Sequence, residues 1–259
     1  MLMKPILHPL RHFWRFWLQP FFPWRASLGA LRNYPRYLAD WRQYERQQPG
    51  HPLNFADSQP CLFDATAKTP FDAHYFYQAN WAMRNITHNP VALHIDVGSE
   101  VNFVGLLSTQ IPVGFVDIRP LSAHLPGLFC LAGDILHLPF ATNSLPSLSC
   151  LHVVEHIGLG RYGDPLNPRG TLEACRELQR VLAVNGNLYF STPVGKPRVC
   201  FNAHRIHSPE QILAYFSDLE LVEFSAVTDQ RQFVRSAAGL ESASYACGLF
   251  WLRKHEPRK

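Results

Sequence analysis

The chain has 259 residues, 47% of them apolar and 17% charged, enough apolar side chain to bury a core and a balance that excludes a disordered polymer. Its 21 prolines point away from a coiled coil or helical bundle, and no internal repeat or low-complexity tract is present. The net charge of +4 is uneven: residues 1–48 carry eight lysines and arginines against Asp40 and Glu45, a net +6, which leaves the remainder at −2. Binding of nucleic acid is therefore not expected of the body of the chain. The six cysteines (Cys61, Cys130, Cys150, Cys175, Cys200, Cys247) lie far apart without a C-x-x-C pair. That spacing fits buried thiols in a reducing compartment better than a disulfide framework or a cysteine zinc site.

The basic arm, residues 1–48, also holds four of the six tryptophans, Trp14, Trp17, Trp24 and Trp41. Leu10, Phe13, Trp14, Trp17, Leu18 and Phe21 recur at helical spacing with Arg11, Arg15 and Gln19 turned away, and Pro20 and Pro23 should end this helix. A second helix is expected over Tyr37–Gln47, with Tyr37, Leu38, Trp41 and Tyr44 on one side and Arg36, Arg42 and Arg46 around it. No run approaches the ~18 apolar residues of a spanning helix, and the start of the chain lacks the clean apolar centre of a signal peptide. A cytoplasmic protein is expected. An aromatic face beside a basic one suits attachment to an anionic membrane such as the inner membrane, while the same aromatics would equally serve to cap a core. Residues 49–70, rich in Pro, Asn, Asp and Ser, read as a linker, and 71–259 as one domain.

In that domain the spacing predicts a helix over 72–87 and then a strand Val91–Val97. A helix over 102–110, a strand Val113–Asp117, a short strand near Leu128–Ala132 and a strand near Leu148–Val153 follow. A helix Leu172–Leu182, a strand Asn187–Ser191, a helix Pro209–Phe216, a strand near Leu221–Val227 and an apolar run Tyr245–Leu252 complete the order. Alternating strands and helices imply βαβ units and a mostly parallel sheet, in which ligands sit beyond the carboxyl ends of the strands.

Polar residues fall at those ends. The first strand leads into Asp96-Val-Gly98-Ser-Glu100-Val-Asn102. The second ends in Asp117, where a carboxylate can accept both hydroxyls of a ribose. The third leads into Gly133-Asp134-Ile135, where an acid can accept from an adenine amino group between apolar neighbours. Each acid has a plainer reading as well: Asp96 as a cap, Asp117 as a turn residue beside Arg119, Asp134 as an Asx turn. The fourth strand ends in His152-Val-Val-Glu155-His156, which matches the H-x-x-E-H zinc-peptidase pattern. On a strand those two histidines would lie roughly 13 Å apart, too far for one ion, so no metal is expected. The glycine-rich Gly158–Pro165, with Arg161 and Asp164, reads as an acceptor-binding loop, and His204 and His207 as candidate walls of the acceptor pocket or caps of the helix at Pro209, for which Ser208 is the better cap.

The segments HIDVGSE, VGFVDIRP, GDILHLPFATNS, LHVVEHI and CRELQRVLAVNGNLYFSTP resemble the class I S-adenosylmethionine-dependent methyltransferases over about Asp72 to Lys254. More narrowly, FDAHYFYQANWAMRNI, HIDVGSEVNFV, FVDIRP and VVEHIGLGRYGDPLNP resemble an uncharacterised bacterial family, domain of unknown function number 268, associated with surface-polysaccharide functions. The resemblance implies a Rossmann-like sheet whose last strand is antiparallel, with S-adenosyl-L-methionine as cofactor. Asp96, Gly98, Glu100, Asp117, Asp134 and Ile135 would bind it. Glu155, His156 and His204 would act on a small-molecule or glycan acceptor. The segment departs from the class I pattern after the first strand, where only Gly98 stands in place of two or three glycines. A methyltransferase fold acting as a scaffold in polysaccharide assembly is the alternative; an intact cofactor pocket would favour the enzyme, and one filled by Glu100, Asn102 or Phe103 would favour the scaffold.

Overall fold

A computed structural model describes residues 24–51 and 53–256, so the helix expected over residues 10–19 lies outside the described part. The chain divides between Pro70 and Phe71 into two units. In the first, helix α1 spans Trp24–Gln47 and starts well before the expected Tyr37. It runs through Pro35, and Leu28, Leu31, Tyr34, Leu38 and Trp41 keep one helical spacing on both sides of it. The expected linker contains a 3₁₀ turn, Phe55–Asp57, capped by Asn54, and the Asn33 amide donates to the Leu62 carbonyl at 2.8 Å. This stretch therefore returns along α1.

The second unit opens with α2, Ala73–His88, whose cap Asp72 accepts from the backbone N–H groups of His74 and Tyr75. Strand β1 (His94–Val97) is buried along its whole length and turns at Gly98, φ +70°, into α3 (Val101–Leu107). Strands β2 (Val113–Asp117), β3 (Leu128–Ala132) and β4 (Leu145–Leu151) follow. Helix α4 (Gly170–Val181) crosses to β5 (Leu182–Val194), which runs on at both ends beyond the expected Asn187–Ser191. A hairpin β6 (Arg198–Cys200) and β7 (His204–Ile206) comes next, then α5 (Pro209–Tyr215), β8 (Leu219–Val227), β9 (Phe233–Val234) and β10 (Ala246–Lys254). Ser208 caps α5 through a capping box with Gln211, which leaves His204 and His207 without that task.

The strands form one sheet in the order β3-β2-β1-β4-β5-β10-β8-β9. Strands β1 to β5 pair in parallel, and β10 inserts antiparallel between β5 and β8. This is the Rossmann-like class I methyltransferase sheet, with the order reversing between β1 and β4. Helices α4 and α5 pack on one face against Leu148, Phe190 and Phe250, and α2 and α3 pack on the other against Phe115, Leu151 and Tyr189. Phe190 is fully buried against Phe216 and Phe250 and holds the first layer together, so its replacement by Ala should cost about 3–5 kcal/mol.

Two boundaries differ from expectation in ways that shape the site. Strand β4 ends at Leu151, not Val153, because His152 takes a left-handed backbone, φ +57°, and the chain then winds into a single 3₁₀ turn, Val154–His156. The hairpin β6–β7, three residues a side around Asn202 at φ +62°, is too short to show a hydrophobic period.

Candidate active site

A cavity of 430 Å³ opens beyond the carboxyl ends of β1, β2 and β3, within the ~300–1,000 Å³ usual for small-ligand sites. Gly98, Asp117, Asp134, Ile135 and His156 all line it, so five of the nine residues singled out in the sequence converge on one space. Gly98 matters through its missing side chain. A Cβ there would stand 3.1 Å from Val153 Cγ1 and 3.7 Å from Asp117 Oδ2, and its positive φ is costly for any other residue. Asp117 Oδ1 accepts from the Arg119 N–H at 2.7 Å, while Oδ2 is directed towards Gly98 across the floor. Asp134 Oδ1 accepts from the Leu136 N–H, an Asx turn that fixes the rim where Ile135 lies.

Four of the nine residues do not line this cavity. The Asp96 carboxylate is fully buried and committed to structure: it accepts from the Ser99 N–H and hydroxyl and from the Ser149 hydroxyl. Ser149 and Ser147 in turn meet the two ring nitrogens of His94, and the Leu151 N–H donates to Ser99. Asp96 thus ties β1 to β4 and pins the Gly98 turn, which explains how a single glycine suffices there. Burial raises its pKa to about 6 against the serine hydrogen bonds, and burial alone lowers that of His94 to about 3. Glu100 caps α3 by accepting from the Phe103 N–H and pairs with the Asn102 amide, while Phe103 is buried in the core. None of these three fills the cavity.

Glu155 is the third correction. Its carboxylate is buried beneath the cavity, with Oε1 2.9 Å from His152 Nδ1 and 3.7 Å from His156 Nε2. Both imidazoles of the H-x-x-E-H segment therefore reach one oxygen, and the ~13 Å separation expected of a strand is not found because the 3₁₀ turn draws them together. The helical zinc-peptidase arrangement is not formed either. Burial pushes the Glu155 pKa up, but the His152 charge and hydrogen bond outweigh it and hold Glu155 low. Burial pushes His152 down, and Cys247 and Glu155 more than reverse this. His204, the fourth, packs its half-buried ring on Tyr245 with its pKa lowered by burial. His207 is buried, with a pKa lowered by burial to about 4.

His156 stands at the wall with Nδ1 2.5 Å from the Ala203 carbonyl, and burial keeps its pKa below the ordinary value despite Glu155. The glycine-rich segment folds over the opening, where Tyr162, Asp164, Pro165, Leu166 and Asn167 line the cavity. Asp164 shapes this loop by accepting from the backbone N–H groups of Gly158 and Tyr162. Arg161 donates to the Ala203 carbonyl beside the His156 ring and makes no ion pair with Glu155 among the described residues. The sequence did not single out Tyr162, whose ring lies under the Arg119 guanidinium at 4.4 Å. A lone aromatic in a glycine-rich loop carries no period to mark it.

A family model described as "Caenorhabditis protein of unknown function, DUF268" matches residues 141–245. The bacterial attribution expected above has no support in that description. No curated protein matches in sequence. Among solved structures, a Haloferax volcanii complex of the Trm112 methyltransferase activator with a proposed methyltransferase aligns at 14% identity and a TM-score of 0.52, covering 72% of this chain and 92% of the other. The N-methyltransferase NodS of Bradyrhizobium japonicum, in complex with S-adenosyl-L-homocysteine, aligns at 16% identity and a TM-score of 0.50, covering 70% and 87%. These likenesses agree with the strand order and establish a methyltransferase-like fold.

Proposed function

We propose that the chain binds S-adenosylmethionine in the 430 Å³ cavity and methylates a hydroxyl of a sugar or polysaccharide-linked acceptor. The observation that carries this reading is the convergence of Gly98, Asp117, Asp134 and Ile135, from three successive strand ends, on one cavity that no neighbouring side chain fills. The residues fit the cofactor. Asp117 offers a carboxylate for ribose hydroxyls, Ile118 and Ile135 offer apolar walls for an adenine, and Asp134 offers an acceptor for its amino group. The bare Gly98 leaves the floor open. Bound there, S-adenosylmethionine would supply an electrophilic methyl group on a sulfonium.

The chain's own part is alignment, exclusion of water and movement of one proton. The loop from Gly158 to Asn167 covers the opening. His156, kept neutral by burial, can take the proton of an acceptor hydroxyl, with its orientation set by Ala203. Tyr162 offers a half-exposed ring beside Arg119 and Asp164, which suits a ligand with apolar ring faces and hydroxyl edges. Filling of the cavity by Glu100, Asn102 or Phe103 would have favoured the scaffold alternative, and all three are engaged elsewhere, which supports the enzyme reading. A crystal structure with S-adenosylhomocysteine tests the reading: the nucleoside should lie against Ile118 and Ile135 with its ribose on Asp117. Binding elsewhere would overturn it.

The arm supports a second element of the proposal, attachment to an anionic membrane surface from the cytoplasmic side. Leu28, Leu31, Tyr34 and Leu38 are exposed on α1, with Arg32, Arg36 and Arg42 in the same helix. No helix among the described residues is long and apolar enough to cross a membrane.

A further inference from the structure

Three donor side chains from distant parts of the second unit meet behind the wall of the cavity. They are His74 in the first turn of α2, His152 just after β4 and Cys247 in β10, and their ligand atoms all lie within 4.8 Å of one another. His152 Nε2 is 3.2 Å from Cys247 Sγ, and the His74 and His152 rings are 5.5 Å apart. Each donor is held from behind. Asp72 caps the turn that carries His74, and Tyr245 stacks on its ring. The left-handed His152 is fixed by its N–H to the Ser191 carbonyl at 2.9 Å, and Cys247 is locked in the sheet between β5 and β8.

We propose that His74, His152 and Cys247 form a binding site for a borderline-soft divalent cation of the zinc class. Two imidazoles and a thiolate are a donor set that such an ion takes, and three protein ligands leave a fourth position for water or an acceptor oxygen. Tetrahedral zinc needs donor separations of about 3.3–3.6 Å, so the three atoms close onto an ion with shifts on the order of 1 Å.

Two independent observations point the same way. The first is the carboxylate behind His152. Glu155 Oε1 meets Nδ1 at 2.9 Å, which leaves Nε2 to face Cys247, and a carboxylate on the far nitrogen is how metal-binding histidines are oriented. Apart from His152, Oε1 has no hydrogen-bond partner among the described residues, and Oε2 accepts only a long bond from Thr192 Oγ1 at 3.4 Å, so the firmest contact of this carboxylate is the imidazole it orients. The second is charge. Glu155 and Cys247 are both completely buried, and no lysine or arginine pairs with the carboxylate among the described residues. A thiolate on the ion and the carboxylate behind His152 would together balance the charge of a divalent ion.

Access exists on both sides. His152 and His156 line the 430 Å³ cavity, and His74 and Tyr245 line a second cavity of 510 Å³ that also carries Asp72 and Asp229. A catalytic thiol would use the same Cys247–His152–Glu155 line, but Cys247 has 0% exposure. Use of the fourth position by an acceptor rests on the methyltransferase reading. Binding of the ion does not.

The experiment is a cobalt(II) titration of the full-length chain, without cofactor or acceptor, followed by optical absorption and by competition with zinc. The expected result is one equivalent of cobalt per chain with intense d–d absorption and a thiolate-to-cobalt charge-transfer band, both displaced by zinc. Cys247→Ser should abolish the charge-transfer band. Cys150→Ser, a buried thiol in the opposite core layer, should keep it. Glu155→Gln should weaken cobalt binding by about 10–100-fold. If a variant fails to fold by circular dichroism, the wild-type titration decides alone. Absence of cobalt binding by the wild type, binding without a charge-transfer band, or a band unchanged in folded Cys247→Ser would overturn the site.

Discussion

Truncation of Asp117 to Ala isolates the contact on which cofactor binding is argued to depend. The side chain sits at the end of β2 and is mostly shielded, at 17% exposure. One oxygen already accepts from the Arg119 N–H, and the other is directed across the floor towards Gly98. A carboxylate accepting from ribose hydroxyls contributes about 1.5–3 kcal/mol as a charge-assisted interaction, so the dissociation constant should rise about 10–150-fold. The fold should lose little more than the turn bond to Arg119, about 0.5–1.5 kcal/mol, because the Arg119 guanidinium contact at 3.7 Å is largely exposed. Equilibrium dialysis with radiolabelled S-adenosylmethionine gives the affinity, and urea denaturation gives the stability. Asp117→Asn, which keeps the shape and loses the charge, should fall between the two. A folded Asp117→Ala variant that binds within twofold of wild type would refute the assignment of Asp117.

His156→Ala should lower turnover by roughly 10²–10⁴ on a hydroxyl acceptor, with cofactor affinity changed only a few-fold, since the ribose and adenine contacts come from other strands. An unchanged rate would move the proton to another group. The buried His94 refuses a proton until about pH 3, whereas in the unfolded chain it titrates at its ordinary value of about 6.5. Its contribution is present above pH 6.5 and is lost as pH falls, by about 3 kcal/mol on reaching pH 4. Asp96, raised to about 6, works in the opposite sense: its contribution is present at low pH and is lost as pH rises from about 4 to 6. Chemical denaturation should therefore show His94→Gln losing less stability than wild type between pH 6.5 and 4, and equal losses would contradict the role of His94. On the arm, replacing Arg32, Arg36, Arg42 and Arg46 by Glu should abolish co-sedimentation with phosphatidylserine vesicles, and added salt should weaken wild-type binding. Binding indifferent to both would rule out an electrostatic attachment.

The succession of strands and helices was legible because parallel strands buried on both faces read as short, mostly apolar runs, as the expected Val91–Val97 and Val113–Asp117 do, although the first pairs only from His94. The carboxyl ends of those strands were legible too, and the chemistry placed there at Gly98, Asp117, Asp134 and Ile135 converges on the cavity. What escaped was orientation. Asp96 and Glu100 sit in the same loop as Gly98, yet pleat and capping turn both carboxylates into the protein's own backbone and serines. Glu155 and His152 were misplaced because a single left-handed residue ends the strand, and no residue type at 152 announces it. The His74–His152–Cys247 cluster was beyond sequence reasoning, since its members lie on three elements brought together only by packing.

Isothermal titration of the wild-type chain with S-adenosylhomocysteine tests the central claim most directly. The account predicts a saturable heat with one site per chain and, because Asp117 and Asp134 supply the polar contacts, a clear loss of affinity when both are replaced by Asn. No heat at millimolar ligand with folded protein would contradict it.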